Sequence, residues 1–266
     1  MQVMEDEKII NFKGIILYMS DREILKNPCY INDQIIEFYF RFLTFTYEEQ
    51  DILFVSPAVS FLLANSDFVG VKNTAESLKL VDKKLIFFTI NNTVNNEEIS
   101  TDTEECTQWS LLVYYKTLHV FVHHDSVKGL NHSDAKKLYD TVKEFVGDDD
   151  KPSMTLKQPK KIRKNGLGNN FDKGSTTTKV DDDEEAVYIE FFTPQQTNVY
   201  DCGLYVMKIA AVICEWYLSR KASDDKYCLW YKVVRNQVLQ CYVENQMRSD
   251  ILEFVDLLND NDCVIS

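Results

Sequence analysis

The segment Pro194-Gln195-Gln196-Thr197-Asn198-Val199-Tyr200-Asp201-Cys202-Gly203 is a polar loop that delivers a cysteine to the first turn of an apolar helix. The partial positive charge at a helix N-terminus favours thiolate over thiol, so Cys202 sits where a nucleophilic sulfur can be made. Gln196 offers an amide N–H pair able to meet an oxyanion, together with backbone N–H groups at the helix start. Gly203 has no Cβ and lets another chain come close to the sulfur. The plainer reading is a structural cysteine in a core helix, the usual state of a buried cysteine. The flanking Q-x-N-x-x-D-C-G pattern favours chemistry.

The elements that position this segment follow from periodicity. The helix opened by Cys202 is apolar on nearly all sides to about Leu218, so it belongs in the middle of a domain. Four segments read as strands of one mixed sheet: 84–90, 108–115, 118–124 and 187–193. Upstream, Asn32 caps a helix whose Ile35, Ile36, Tyr39, Phe40 and Leu43 share a face. Ile52–Val55 reads as a short strand, and Ser56-Pro57 then cap and open a short helix to about Leu63. Ser133 is expected to cap a helix with Ala135, Leu138, Val142 and Phe145 on one face, and Gly147 to end it in a left-handed conformation. The polar stretch 91–106 reads as a loop. The fold class is α+β, with one domain formed by residues 1–147 and 187–266. Between them, 148–186 runs acidic, basic (Lys160-Lys161-Ile162-Arg163-Lys164), Gly/Asn/Thr-rich and acidic again, with almost nothing to bury, so it is expected to be a disordered charged insertion.

Composition bounds the partners. The net charge of −13 argues against nucleic-acid backbones and anionic membranes, which demand basic surface. No unbroken apolar run approaches the roughly 20 residues needed to span a bilayer. The seven cysteines are odd in number and contain no CxxC pair, which fits a reduced protein of the cytoplasm or nucleus without a disulfide framework. No metal and no cofactor is expected.

The Q-x-N-x-x-D-C-G segment resembles the nucleophile motif of the cysteine proteases that act on ubiquitin-like modifiers, the sentrin/SUMO-specific type. Thr107-Gln108-Trp109-Ser110-Leu111-Leu112-Val113 resembles that family's T-H-W-S-L-L-V strand. His124-Asp125-Ser126 stands where the family places its acid, Tyr30-Ile31-Asn32-Asp33 resembles W-L-N-D, and Ser56-Pro57 matches a further signature. Asn32-Asp33-Gln34-Ile35-Ile36 and Ser110-Leu111-Leu112-Val113-Tyr114 resemble the deneddylase branch more than the SUMO branch.

The resemblance implies a papain-like cysteine protease fold. It implies Cys202 as nucleophile, Asp125 as the acid that orients a histidine, and Gln196 as oxyanion donor. Trp109 and Tyr30 become the aromatic walls of a narrow channel for a Gly-Gly tail, with Asn32, Asp33 and Gly203 beside it. The expected partner is a Nedd-type modifier, with SUMO or ubiquitin as the alternatives, bound by a monomer.

Two positions depart from the pattern. Tyr30 replaces tryptophan and keeps a flat ring. Gln108 replaces the catalytic histidine, and glutamine can neither take nor return a proton near neutral pH. General acid–base help is worth roughly 10²–10⁴ in rate, about 3–5 kcal/mol of barrier. Amide cleavage suffers most, because its leaving group must be protonated. His119, His123 and His124 are the substitutes to weigh. Strand alternation puts His123 on the side of Asp125 and His124 on the other. A step of two residues along a strand is about 6–7 Å, which leaves His123 beside the acid rather than at Cys202. His132 reads as a loop residue. The chain is therefore read as a deneddylase-like isopeptidase weakened at Gln108, or as a pseudoprotease that binds a modifier without turning it over.

Overall fold

The computed structural model describes residues 6–92, 108–147, 185–220 and 229–265. The chain begins with a hairpin that the sequence pattern does not announce. β1 (Lys8–Phe12) and β2 (Ile15–Tyr18) pair antiparallel around Lys13 and Gly14, both at positive φ (51° and 91°). That geometry matches the twist of a two-residue hairpin turn, and the Asn11 carboxamide oxygen accepts the Gly14 N–H at 3.1 Å. α1 (Met19–Lys26) follows directly.

α2 (Asp33–Tyr47) starts as expected, with the Asn32 side chain accepting the Ile35 N–H at 3.0 Å. After β3 (Ile52–Phe54), Ser56 caps α3 (Pro57–Asn65), with proline at its first position, where no N–H is missed. α4 (Phe68–Leu78) leads to β4 (Leu85–Asn91). β5 (Trp109–Tyr115) and β6 (Val120–His124) form an antiparallel pair, followed by α5 (His132–Val142) and β7 (Val187–Phe191). α6 (Cys202–Arg220) comes next, and α7 (Tyr231–Gln237), α8 (Gln240–Asn245) and α9 (Met247–Ile265) complete the described chain.

The main sheet has five strands in the order β3-β4-β5-β6-β7. Its outer pairs, β3–β4 and β6–β7, are parallel and its inner pairs antiparallel, so the sheet is mixed as expected, with β3 added at one edge. Alternation along the strands divides the core. Leu85, Phe87, Leu111, Val113, Tyr115, Val120 and Val122 face α2, α6 and the C-terminal helices. Ile86, Phe88, Ile90, Leu112, Tyr114 and Phe121 face α3, α4 and α5. The sheet is therefore covered on both faces, which explains the unbroken apolar runs of β4 and β5.

α6 lies against β5, the central strand, with fourteen of its nineteen residues buried. By length and composition alone it is apolar enough to cross a membrane, which the count of unbroken apolar runs did not register. It is the core helix here: 78% of its most apolar window is buried inside the fold.

Ser133 does not cap α5. The helix begins at His132, its flanking residue is Asn131, and the Asn131 side chain is used elsewhere. Gly147 does take a left-handed conformation, with φ at 92°. The expected loop falls outside the described residues beyond Asn92, and so does the expected insertion up to residue 184. The last two residues assigned to that insertion, Glu185 and Ala186, are described. The Ala186 carbonyl is buried under the Tyr139 hydroxyl, which donates to it at 2.6 Å, and Glu185 pairs with Lys143.

Candidate active site

The end of β4, the start of β5 and the ends of β6 and β7 meet on one edge of the sheet, and α6 begins there. The loop before α6 is built by its own side chains. The Asn198 carboxamide oxygen accepts the N–H groups of Tyr200 (3.1 Å) and Asp201 (3.0 Å), and its amide donates to Asp201 Oδ2 at 2.7 Å. The Asp201 carbonyl accepts the Tyr205 N–H at 3.1 Å and starts the helix at Cys202. The asparagine and aspartate of the motif thus fold the loop themselves.

Cys202 is fully buried. Backbone N–H groups of Trp109, Gly203 and Cys202 itself are directed at its sulfur. Burial pushes the thiol up to about 11; these donors pull it down only in part, and the charge of Asp201 adds to the rise. Trp109 opens β5 and donates its indole N–H to the Ile31 carbonyl at 2.8 Å. Gly203 allows a close approach, but the approaching group belongs to this chain: a Cβ there would lie 2.6 Å from Ile31 Cβ.

Outside this wall lies a groove of about 1030 Å³, lined among others by Tyr30, Asp33, Phe61, Thr89 and Trp109. Tyr30 and Trp109 share it, as expected of channel walls, and Asn32 borders it. Asn32 is also structural: besides capping α2, its amide donates to Asp21 Oδ1 at 2.7 Å. Thr89 Oγ1 is buried in the groove wall with no hydrogen-bond partner among the described residues.

Gln108 directly precedes Trp109, whose N–H meets the sulfur, so the strand expected to carry the base runs beside Cys202. The Gln108 backbone is pinned at both ends, its N–H to Asn92 Oδ1 (2.8 Å) and its carbonyl to the Asn131 amide (2.8 Å). Its side-chain amide donates to the Trp109 carbonyl (3.2 Å) and to Ser126 Oγ (3.4 Å). Ser126 Oγ in turn donates to Gln196 Oε1 at 2.7 Å, and Gln196 Nε2 donates to the Asn198 carbonyl at 2.8 Å. Gln108 and Gln196 are thus joined through one hydroxyl. The Asp125 carboxylate accepts the backbone N–H groups of Val127 (3.0 Å) and Asn131 (3.1 Å).

All four histidines are engaged away from the sulfur. His119 Nδ1 meets the Tyr114 hydroxyl at 2.9 Å. His123 lies between Ser110 Oγ and Glu190, both at 2.9 Å, and His132 meets the same Glu190 at 2.7 Å. His124 faces the other way: its Nε2 accepts the Trp230 indole N–H at 2.9 Å and its Nδ1 lies 3.2 Å from Thr193 Oγ1. Burial, then the neighbouring His123, pushes His124 down to about 3, so its ring is neutral at physiological pH. Burial pulls Glu190 up, but hydrogen bonds from His123, Tyr188 and His132 outweigh it and hold the carboxyl near 2. These partners of the four imidazoles thus all lie away from Cys202.

Asn131, Ser126 and Arg248, whose Nη2 donates to Asp201 Oδ1 at 2.5 Å, carry much of this geometry and were not singled out from the sequence. Ser126 lies inside the Asp125-Ser126 motif, which was the one available signal. Arg248 lies far down the chain in an unremarkable helix.

Residues 29–229 match the Ulp1 protease family, C-terminal catalytic domain, and the chain belongs to that family. It is 33% identical over 258 residues to NEDD8-specific protease 1 of Arabidopsis thaliana, covering 96% of this chain and 95% of that protein. It is 30% identical over 232 residues to the probable sentrin-specific protease 8 of Dictyostelium discoideum, covering 83% of this chain and 81% of that protein. Among solved structures, the SUMO protease Ulp1 with its catalytic cysteine oxidized to a sulfenic acid aligns with a TM-score of 0.54 at 18% identity, covering 96% of this chain and 89% of the other. At that identity the likeness concerns the fold.

Proposed function

We propose that this chain is a deneddylase-type member of its family, which takes the Gly-Gly tail of a Nedd-type modifier between Tyr30 and Trp109 and cleaves isopeptides only slowly at Cys202. The binding half of the reading is supported by the groove itself. It presents two aromatic walls, the exposed carboxylate of Asp33 and an unpartnered hydroxyl at Thr89. The relatives named for NEDD8 and sentrin proteases cover 96% and 83% of the chain.

The chemical half is carried by one observation: Cys202 lies under backbone donors with a thiol pushed up to about 11, while every imidazole in the chain is committed elsewhere. At pH 7 such a thiol is almost wholly protonated. Attack on the carbonyl then starts from a scarce thiolate. Collapse of the tetrahedral intermediate must expel a lysine amine, and Gln108 has no proton to give it. The second N–H of Gln196 remains for the oxyanion.

The test is calorimetry with Nedd-type, SUMO and ubiquitin proteins. Binding to the Nedd-type modifier in preference to the other two is expected. Absence of binding to all three at high micromolar concentration removes the reading. A pure pseudoprotease is the second reading, favoured by the Gln108–Ser126–Gln196 link, which ties up the amide of the residue that stands where the resemblance implies a histidine.

A further inference from the structure

The loop that carries Cys202 is held from outside the segment that matches the family. Arg248, on α9, divides its guanidinium among three acceptors. Nη1 donates to the Ile24 carbonyl at 2.7 Å, and Nη2 to the Cys29 carbonyl at 2.9 Å and to Asp201 Oδ1 at 2.5 Å. Asp201 is buried and Arg248 half-buried, with side-chain exposures of 1% and 14%. The ring of Tyr200 lies 5.8 Å below the guanidinium carbon. Glu244, at the end of α8, holds the far end of the same loop by accepting the Thr197 N–H (2.7 Å) and hydroxyl (2.5 Å) and the Tyr205 hydroxyl (3.0 Å).

Cys29 precedes Tyr30, and Asp201 precedes Cys202. One side chain therefore joins the segment that bears the outer wall of the groove to the segment that bears the sulfur. We propose that Arg248, supported by Glu244, is a positioning residue that sets the separation between Cys202 and the Tyr30-Ile31 wall. Three acceptors from three segments in one fan require the planar fork of arginine; a lysine ammonium is a point charge on a flexible stem and cannot span them.

The same arrangement acts on charge. Asp201 is the carboxylate whose field reaches the sulfur, and Arg248 sits against it. The other nearby carboxylate, Asp125, is spent on two backbone N–H groups, and the imidazoles face away.

The proposal deepens the reading of the groove as a modifier-tail site, so its test has one arm that uses no modifier. Covalent labelling by a Nedd-type modifier bearing a C-terminal vinyl sulfone is measured as a maximal rate and a half-saturating concentration, alongside thermal unfolding. Iodoacetamide alkylation of the Cys202 peptide is followed against pH by mass spectrometry. Arg248→Met should lower the maximal labelling rate at least tenfold and raise the pH of half-maximal alkylation. Arg248→Lys should recover the melting temperature more fully than the rate. The double variant Arg248→Met/Asp201→Asn removes both charges of the pair; it should regain the melting temperature and stay slow in labelling.

A double variant that regains rate and melting temperature together overturns the proposal, since the pair then only stabilises the fold. So does an Arg248→Met protein that labels at the parental rate. If the parental protein is not labelled by the modifier at all, the functional reading fails, and iodoacetamide decides the positioning claim: an unchanged Cys202 alkylation profile in Arg248→Met overturns it.

Discussion

The side-chain amide of Gln108 donates to Ser126 Oγ at 3.4 Å, while the carboxylate of the adjacent Asp125 is filled by the backbone N–H groups of Val127 and Asn131. The aspartate expected to orient a catalytic histidine therefore serves the loop that follows β6. Its two roles separate by genetics. Asp125→Asn in the present chain should cost about 1–3 kcal/mol of stability, because one backbone N–H loses its acceptor, and should change probe labelling only a few-fold. In a Gln108→His background the same change should cost orders of magnitude in turnover, as it does wherever a carboxylate fixes an imidazole tautomer. Denaturant melts and labelling rates on the four variants check both halves.

Gly203 is the second point of contact between the wall and the sulfur. Alanine is the better helix former by about 1 kcal/mol, yet its Cβ would stand 2.6 Å from Ile31 Cβ. Overpacking of this kind costs about 1–3 kcal/mol. Gly203→Ala should therefore destabilise the protein and weaken modifier binding, and Ile31→Ala should restore part of the loss in the double variant. Additive effects of the two changes in a double-mutant cycle would show that they do not touch.

Acid should loosen the fold from the His124 side. The folded ring titrates near 3, well below the ordinary value of 6.5, so the unfolded chain binds a proton that the folded chain refuses throughout that interval. Stability from this group is complete above about pH 6.5 and is lost as pH falls towards 3. Glu190, held near 2, adds a loss in the same direction below its ordinary range. Denaturation midpoints measured between pH 7 and 5 should fall for the parental chain and fall less for His124→Gln. Equal slopes for the two proteins would locate the acid sensitivity elsewhere.

Much of the fold and part of the candidate site's geometry were legible in the sequence, for reasons that differ by element. α2, α3 and α6 carry their own signals: Asn32 and Ser56 as caps, Pro57 at a first helical position, and an apolar run opened by Cys202. The mixed sheet was legible because β4 and β5 are apolar on both faces. The first hairpin was not, because its turn puts Lys13 in a left-handed conformation where asparagine or aspartate would have signalled it. The Ser133 cap failed because Asn131 sends its amide to the Gln108 carbonyl and Ser110 Oγ, a choice made by tertiary contacts. Cys202, Trp109, Gln108 and Asp125 are candidates that only the motifs single out. Arg248 and Glu244 act across more than forty residues of chain, a distance that no local pattern encodes.

Labelling and cleavage should part company with pH. An electrophile at the modifier's C-terminus needs only a positioned thiolate, so its rate should climb about tenfold per pH unit from neutral towards the thiol's value near 11, with no plateau at pH 6–8. Cys202→Ala should abolish it. A plateau near neutrality would mean that some group already holds the thiolate.

The most direct measurement compares the present chain with Gln108→His on a Nedd-type modifier joined by an isopeptide to lysine. An imidazole at residue 108 should raise turnover by about 10²–10⁴ while modifier affinity changes little. Turnover in the present chain as fast as in the histidine variant would contradict the account, because a base other than residue 108 would then be at work.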